Sequence, residues 1–227
     1  ESFPLFGYDL ADYETLFAEK LDLFAALLDE QPLQWSGTTR APLDGQRVYP
    51  LTRSGLKAWI GVGGSPQSVV RAARYGFPLV IAIIGGAAER FAPFADLYRR
   101  ALEEIGREEL PIAVHSPGHV ADTDEQALEQ AWPHYKAMHD RIGGERGWGP
   151  MSRAEFDAQT GPQGALYVGS PETFARKIPG TARLLGLSRF DLKYSMGTLP
   201  HDQMMRTIEL YGTTVIPMVR DMLSEGA

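Results

Sequence analysis

The residues best placed by type and spacing to do chemistry lie in one turn. Ala58 to Val62 is a short apolar run ending in Gly63 and Gly64, and Ser65-Pro66 follows as a helix cap with proline at the first helical position. Amides at such a helix start have no intrahelical acceptor and carry the positive end of the helix dipole. The two glycines let an anion approach the backbone closely. Val62, Gly63, Gly64, Ser65 and Ser68 therefore form a candidate phosphate grip that needs no lysine. The bland alternative is an ordinary strand-to-helix turn with a serine cap. The dinucleotide fingerprint is not met, because the glycines fall as GVGG and no acidic residue follows at the required distance.

Other candidates divide between a chemical and a structural reading. His115 is expected at the carboxyl end of a strand, where it either transfers a proton or serves as a hydrogen-bonded structural histidine. His119 is expected in the loop that follows. The pair does not read as a metal site, since Pro117 and Gly118 intervene and no carboxylate is placed as a third ligand. His134, Tyr135 and His139 fall on one expected helix, with an exposed or packing role as the default. Trp148 either folds over a ligand or anchors its loop to a rim. Glu103, Glu104, Glu108 and Glu109 read as a solvated helix end, and Met204, Met205 and Met218 as core or interface residues.

Elements capable of positioning these groups follow from composition and rhythm. A chain of 227 residues, 44% hydrophobic, can bury a substantial core. Its net charge of −7 argues against nucleic acid or an anionic membrane as partner and leaves a small molecule. The absence of cysteine excludes disulfides and thiolate metal sites, so the expected compartment is a reducing cytoplasm. The apolar run near Phe77 to Ile84 is too short to span a membrane and reads as a buried parallel strand.

Helical periodicity marks Tyr13 to Leu28, Ala87 to Ile105, Asp124 to Arg141 and Leu199 to Ser224. Between Leu33 and Pro50, Ser36-Gly37 and Asp44-Gly45 read as turns in a small β excursion. Barrel-type strands are expected at Ala58 to Val62, Pro78 to Ile84, Pro111 to His115 and Arg189 to Tyr194, with a shorter β piece before the cap Ser170-Pro171. Residues 142–164, rich in glycine, are expected to form a lid or insertion loop with a helical piece only at Ser152 to Ala158. Strands alternating with helices imply a parallel sheet joined by right-handed crossovers.

In order along the chain, FPLFGYDL, GVGGSPQSVVRAARYGFP, VADTDEQA, VGSPETFARKI and GTLPHDQMMRTIELYGTTVIPMVR resemble the bacterial luciferase-like flavin-dependent monooxygenases. The resemblance implies a TIM (β/α)8 barrel, of which residues 1–227 represent roughly the second half, and a chain that is a piece of a longer polypeptide. It implies that Gly63, Gly64, Ser65 and Ser68 hold the phosphate of FMN, Ser68 standing where such proteins carry a threonine. Lys193 to Met196 match the mouth of the barrel, which makes Tyr194, Ser195 and Met196 pocket candidates. Implied activity is oxidation of a small organic substrate by reduced flavin and dioxygen, with a flavin reductase as supplier and a homodimer as the full-length assembly. Deazaflavin-dependent hydride transfer and non-catalytic flavin binding are the alternatives.

Overall fold

The structure is a computed structural model describing residues 2–225, and the chain divides into two compact units, Glu1–Ala58 and Trp59–Ala227. The first contains α1 (Ser2–Leu5), α2 (Tyr13–Leu27) and an antiparallel pair, β1 (Leu33–Trp35) and β2 (Leu43–Gln46). Leu16 and Leu23 are the buried residues of α2, and the Tyr13 ring lies 6.0 Å from that of Phe17. Asp44-Gly45, expected as a turn, lies inside β2, where the positive φ of Gly45 accompanies an irregular register opposite Leu33 and Gln34. Glu19 holds the segment after β1 to α2, its carboxylate accepting from the Thr38 hydroxyl at 2.7 Å and from the Thr38 and Thr39 amides at 2.8 Å.

In the second unit the elements alternate. β3 (Ile60–Val62) leads to α3 (Pro66–Tyr75), β4 (Leu79–Ala82) to α4 (Ala92–Glu104), and β5 (Ile112–Val120) to α5 (Asp124–Arg146) and α6 (Arg153–Thr160). Then come β6 (Tyr167–Gly169), α7 (Pro171–Leu185), β7 (Arg189–Lys193), α8 (His201–Leu210) and α9 (Ile216–Ser224), with a π-helical turn at Tyr211–Val215 inside the expected closing helix. β3, β4, β5 and β7 pair in parallel in that order, as the alternation predicts. Val69, Ala72, Leu79, Ile81, Tyr98, Leu102, Ile112 and Val114 form the core between this sheet and the α3–α4 layer. The Tyr98 hydroxyl, buried there, donates to the Phe77 carbonyl at 2.6 Å.

β5 corrects the expected strand. It does not stop at His115 but runs to Val120, pairing through Ala113–Pro117 with β7 and through Gly118–Val120 with β6. Pro117-Gly118 looks like loop chemistry, yet Gly118 is demanded by proximity: a Cβ there would meet the Tyr167 carbonyl oxygen at 2.3 Å. His115 is consequently mid-strand, beside Ala82 and Asp191, and His119 is inside the strand and fully buried. His119 Nε2 lies 2.8 Å from Gln130 Oε1 and its Nδ1 2.9 Å from Thr207 Oγ1, and burial holds its pKa below the ordinary histidine value.

Residues 142–164 are not one long loop. α5 continues to Arg146, and α6 occupies Arg153–Thr160 behind a Ser152–Glu155 capping box. The glycines mark close approach instead of freedom: Trp148 packs on Gly143, its amide donating to the Gly143 carbonyl at 2.9 Å, while Gly147 ends α5 in the left-handed region at φ 74°.

Two pH effects follow. Hydrogen bonds from Thr38 and Thr39 hold the Glu19 carboxyl down at about 2. A depressed folded pKa gives stability that is present above the unfolded value and lost as pH falls toward about 2, so far-UV circular dichroism during acid titration should show Glu19→Gln lacking part of the wild-type loss. Burial raises the Tyr98 hydroxyl to about 12. The raised value makes stability fall as pH climbs from about 10 to about 12, and urea midpoints should fall less over that range in Tyr98→Phe, which is destabilised by about 1–2 kcal/mol at pH 7.

Candidate functional site

Ser65 caps α3 as its sequence suggests, with Pro66 at the first helical position. Its hydroxyl accepts from the Ser68 amide at a long 3.4 Å and donates to Gln67 Oε1 at 3.0 Å. The Ser68 amide also donates to the Ser65 carbonyl at 3.1 Å, so what Ser68 offers a ligand is its hydroxyl. Gly64 has φ 126°, a conformation that side-chain-bearing residues rarely adopt. A Cβ built on Gly63 or Gly64 would meet nothing within 4 Å, so this backbone is open to an approaching group. Val62 is buried in the core and serves to fix the turn.

Gly63 opens onto a cleft of about 480 Å³, within the range of small-molecule pockets. Ala82 and Ile84 border it from the end of β4, Pro117 from β5 and Lys193 from the end of β7, so it lies at the carboxyl ends of the sheet. α5 supplies the opposite wall with Tyr135, Met138, His139, Ile142 and Arg146, and Trp148 and Gln159 complete it.

This wall is pinned. Asp140 accepts from Lys136 Nζ at 2.6 Å and from the Met151 amide at 2.8 Å, tying the segment after α5 back to that helix. The Tyr135 hydroxyl donates to Gln159 Oε1 at 3.3 Å. Lys177 donates to the Gly161 and Leu166 carbonyls, both at 2.7 Å, and sits 4.7 Å from the centre of the Tyr167 ring. Burial lowers its pKa to about 8. The His139 and Trp148 rings lie 5.5 Å apart, and the guanidinium of Arg146 is 5.5 Å from the Trp148 ring. His139 Nδ1 is buried without a hydrogen-bond partner, 3.6 Å from Asp140 Oδ1.

The structure thus brings Gly63 and Trp148 to one cleft. It does not bring Tyr194 or Met196 there: Met196 is packed in the core with Phe156 and Leu166, and Tyr194 faces a separate groove of about 650 Å³ along β7 and α9. Lys193 is the last residue of β7, and Tyr194 lies beyond the strand end, on the side of the other groove. Ser195 is exposed, and His115 does not line the cleft. Tyr135, His139, Arg146 and Gln159 were not singled out as pocket residues by the sequence. On α5 the spacing of Tyr135, Met138, Ile142 and Arg146 at three to four residues carries the signal, but only the partner face reveals which stripe is the wall. Among the described residues no cluster of His, Asp or Glu is placed to hold a metal, and no helix is long and apolar enough to cross a membrane.

Residues 1–188 match the luciferase-like monooxygenase family, and the chain belongs to that family. Its fold is that of solved structures of this kind. It resembles the monooxygenase RslO1 from Streptomyces bottropensis (TM-score 0.76, 19% identity), covering 95% of this chain and 64% of that one. The oxygenating constituent of 3,6-diketocamphane monooxygenase from Pseudomonas putida, solved with FMN, is similar at TM-score 0.62 and 18% identity, over 88% of this chain and 62% of that one. The coenzyme F420-dependent tetrahydromethanopterin reductase from Methanopyrus kandleri is similar at TM-score 0.57 and 15% identity, over 85% and 60%. The chain therefore spans less than two thirds of the length of these relatives. No curated protein sequence matches it.

The long Ser65–Ser68 cap distance sets an expectation for stability: Ser65→Ala should lower the unfolding free energy by only about 0.5–1 kcal/mol, the low end for a capping serine, as measured by urea denaturation.

Proposed function

We propose that this chain carries the phosphate grip and one pocket wall of a flavin-dependent oxidoreductase, a monooxygenase acting on a small organic molecule with reduced FMN and dioxygen. The observation that supports this reading is the continuity between the open Gly63-Gly64 turn at the start of α3 and the aromatic-walled cleft at the strand ends. The donor set fits a phosphate monoester: the positive end of a ten-residue helix, the Ser68 hydroxyl, and a glycine backbone with nothing over it.

Each group has a share in the work. Gly63 and Gly64 admit the anion to the positive end of α3, the Ser68 hydroxyl donates to it, and the Ser65 cap fixes the start of the helix. Tyr135, Trp148 and Phe91 line the cleft, exclude water and give an isoalloxazine-sized ring or an apolar substrate a surface to pack on. When bound, reduced flavin supplies the electrons for substrate oxidation, chemistry that belongs to the cofactor. A deazaflavin carries a phosphate on the same type of tail, and the F420-dependent reductase among the similar structures makes it the second cofactor to titrate. A flavin reductase as electron supplier and a cytoplasmic homodimer belong to the same proposal.

Calorimetric titration tests the grip on the chain itself. FMN should bind about tenfold or more tightly than riboflavin, which lacks the phosphate, and Ser65→Ala/Ser68→Ala should remove most of that preference. Equal affinity for the two ligands, or no binding of either to folded protein, overturns the assignment.

A further inference from the structure

Charge is distributed unevenly in the cleft. The chain as a whole carries −7, yet no aspartate or glutamate lines this space, while Lys193 and Arg146 both do. Asp140, the acid next to His139, is engaged with Lys136 and the Met151 amide. Lys193 is half-buried and its ammonium is held by the Met138 thioether at 3.8 Å, with no carboxylate paired to it among the described residues. A half-buried ammonium served by a thioether is weakly compensated, because sulfur is a weak acceptor. Arg146 stands at the mouth over the Trp148 ring, with its guanidinium edge free to reach a ligand that rests on the indole. His139 and Gln159 are the other polar members of the lining, and the rest is apolar or aromatic, with Trp148, Tyr135 and Phe91 its largest members.

We propose that the substrate of this cleft is an organic anion, a carboxylate or sulfonate on an apolar body, whose charge is met by Lys193 and by Arg146 at the mouth. The inference rests on the cleft being the ligand site of the proposed enzyme and names its substrate class. Lys193 is the specificity residue. Its surroundings screen it least, so it contributes more than the exposed Arg146.

The anion met by these cations has two sources to separate, a substrate headgroup and the cofactor phosphate. Benzoate and the neutral, isosteric benzamide serve as probes, with FMN and riboflavin titrated alongside, on wild type, Lys193→Met, Lys193→Arg and Arg146→Met. Wild type should bind benzoate about tenfold more tightly than benzamide. Lys193→Met should abolish that preference, Arg146→Met should reduce it about threefold, and Lys193→Arg should retain it. None of the three should alter the FMN-to-riboflavin ratio. Thermal melting by circular dichroism identifies any variant that fails to fold, in which case the wild-type preference and Lys193→Arg decide the matter. Equal binding of benzoate and benzamide by wild type, or binding of neither, overturns the proposal. A loss of FMN preference in Lys193→Met overturns it too, by assigning the ammonium to the cofactor phosphate. Failure of the phosphate grip shows instead in the FMN arm alone, with benzoate discrimination intact.

Discussion

The parallel ladder of β3, β4, β5 and β7 forces four strand ends onto one rim, since parallel strands joined by crossover helices must all run the same way. Gly63, Ile84, Pro117 and Lys193 are neighbours around the cleft for that reason, although they lie up to 130 positions apart in sequence. Chemistry at such a rim is assembled from loops and strand termini, while the opposite ends are free to serve stability. The glycine turn is one of these termini. β3 delivers it to the rim two strands away from Pro117, with β4 between them.

β5 shows how the rim and the α5 wall are joined. Its first half belongs to the ladder and its second half to β6, so one continuous strand ties the sheet to the segment that follows α6. The hydrogen bonds of His119 with Gln130 of α5 and Thr207 of α8 fasten both helices to the same strand. Lys177 and Asp140 complete the frame from α7 and α5. Several contacts that hold the pocket wall are thus made by residues that do not line it.

The sequence made the alternation of strands and helices legible, because buried parallel strands are continuous apolar runs and α3 and α7 announce their starts with Ser-Pro caps. The glycine turn was legible for the same reason. Where reading failed, glycine and proline had a tertiary cause: Gly118 yields to the Tyr167 carbonyl, and Gly143 to Trp148, so both sit inside regular elements that local chemistry would end. Lys193 lay in a segment already matched to the barrel mouth, but its neighbours Tyr194 and Met196 drew the pocket assignment. Which residue of a strand end turns inward depends on its register with β5, and no local pattern supplies that.

Gly143 and Trp148 meet so closely that a methyl group on the glycine would lie 3.2 Å from the tryptophan Cβ. The indole is therefore seated by a missing side chain on the helix behind it. Enlarging position 143 would push the ring and resize the chamber without substituting any residue that lines it, a remote dial for the girth of the molecules admitted.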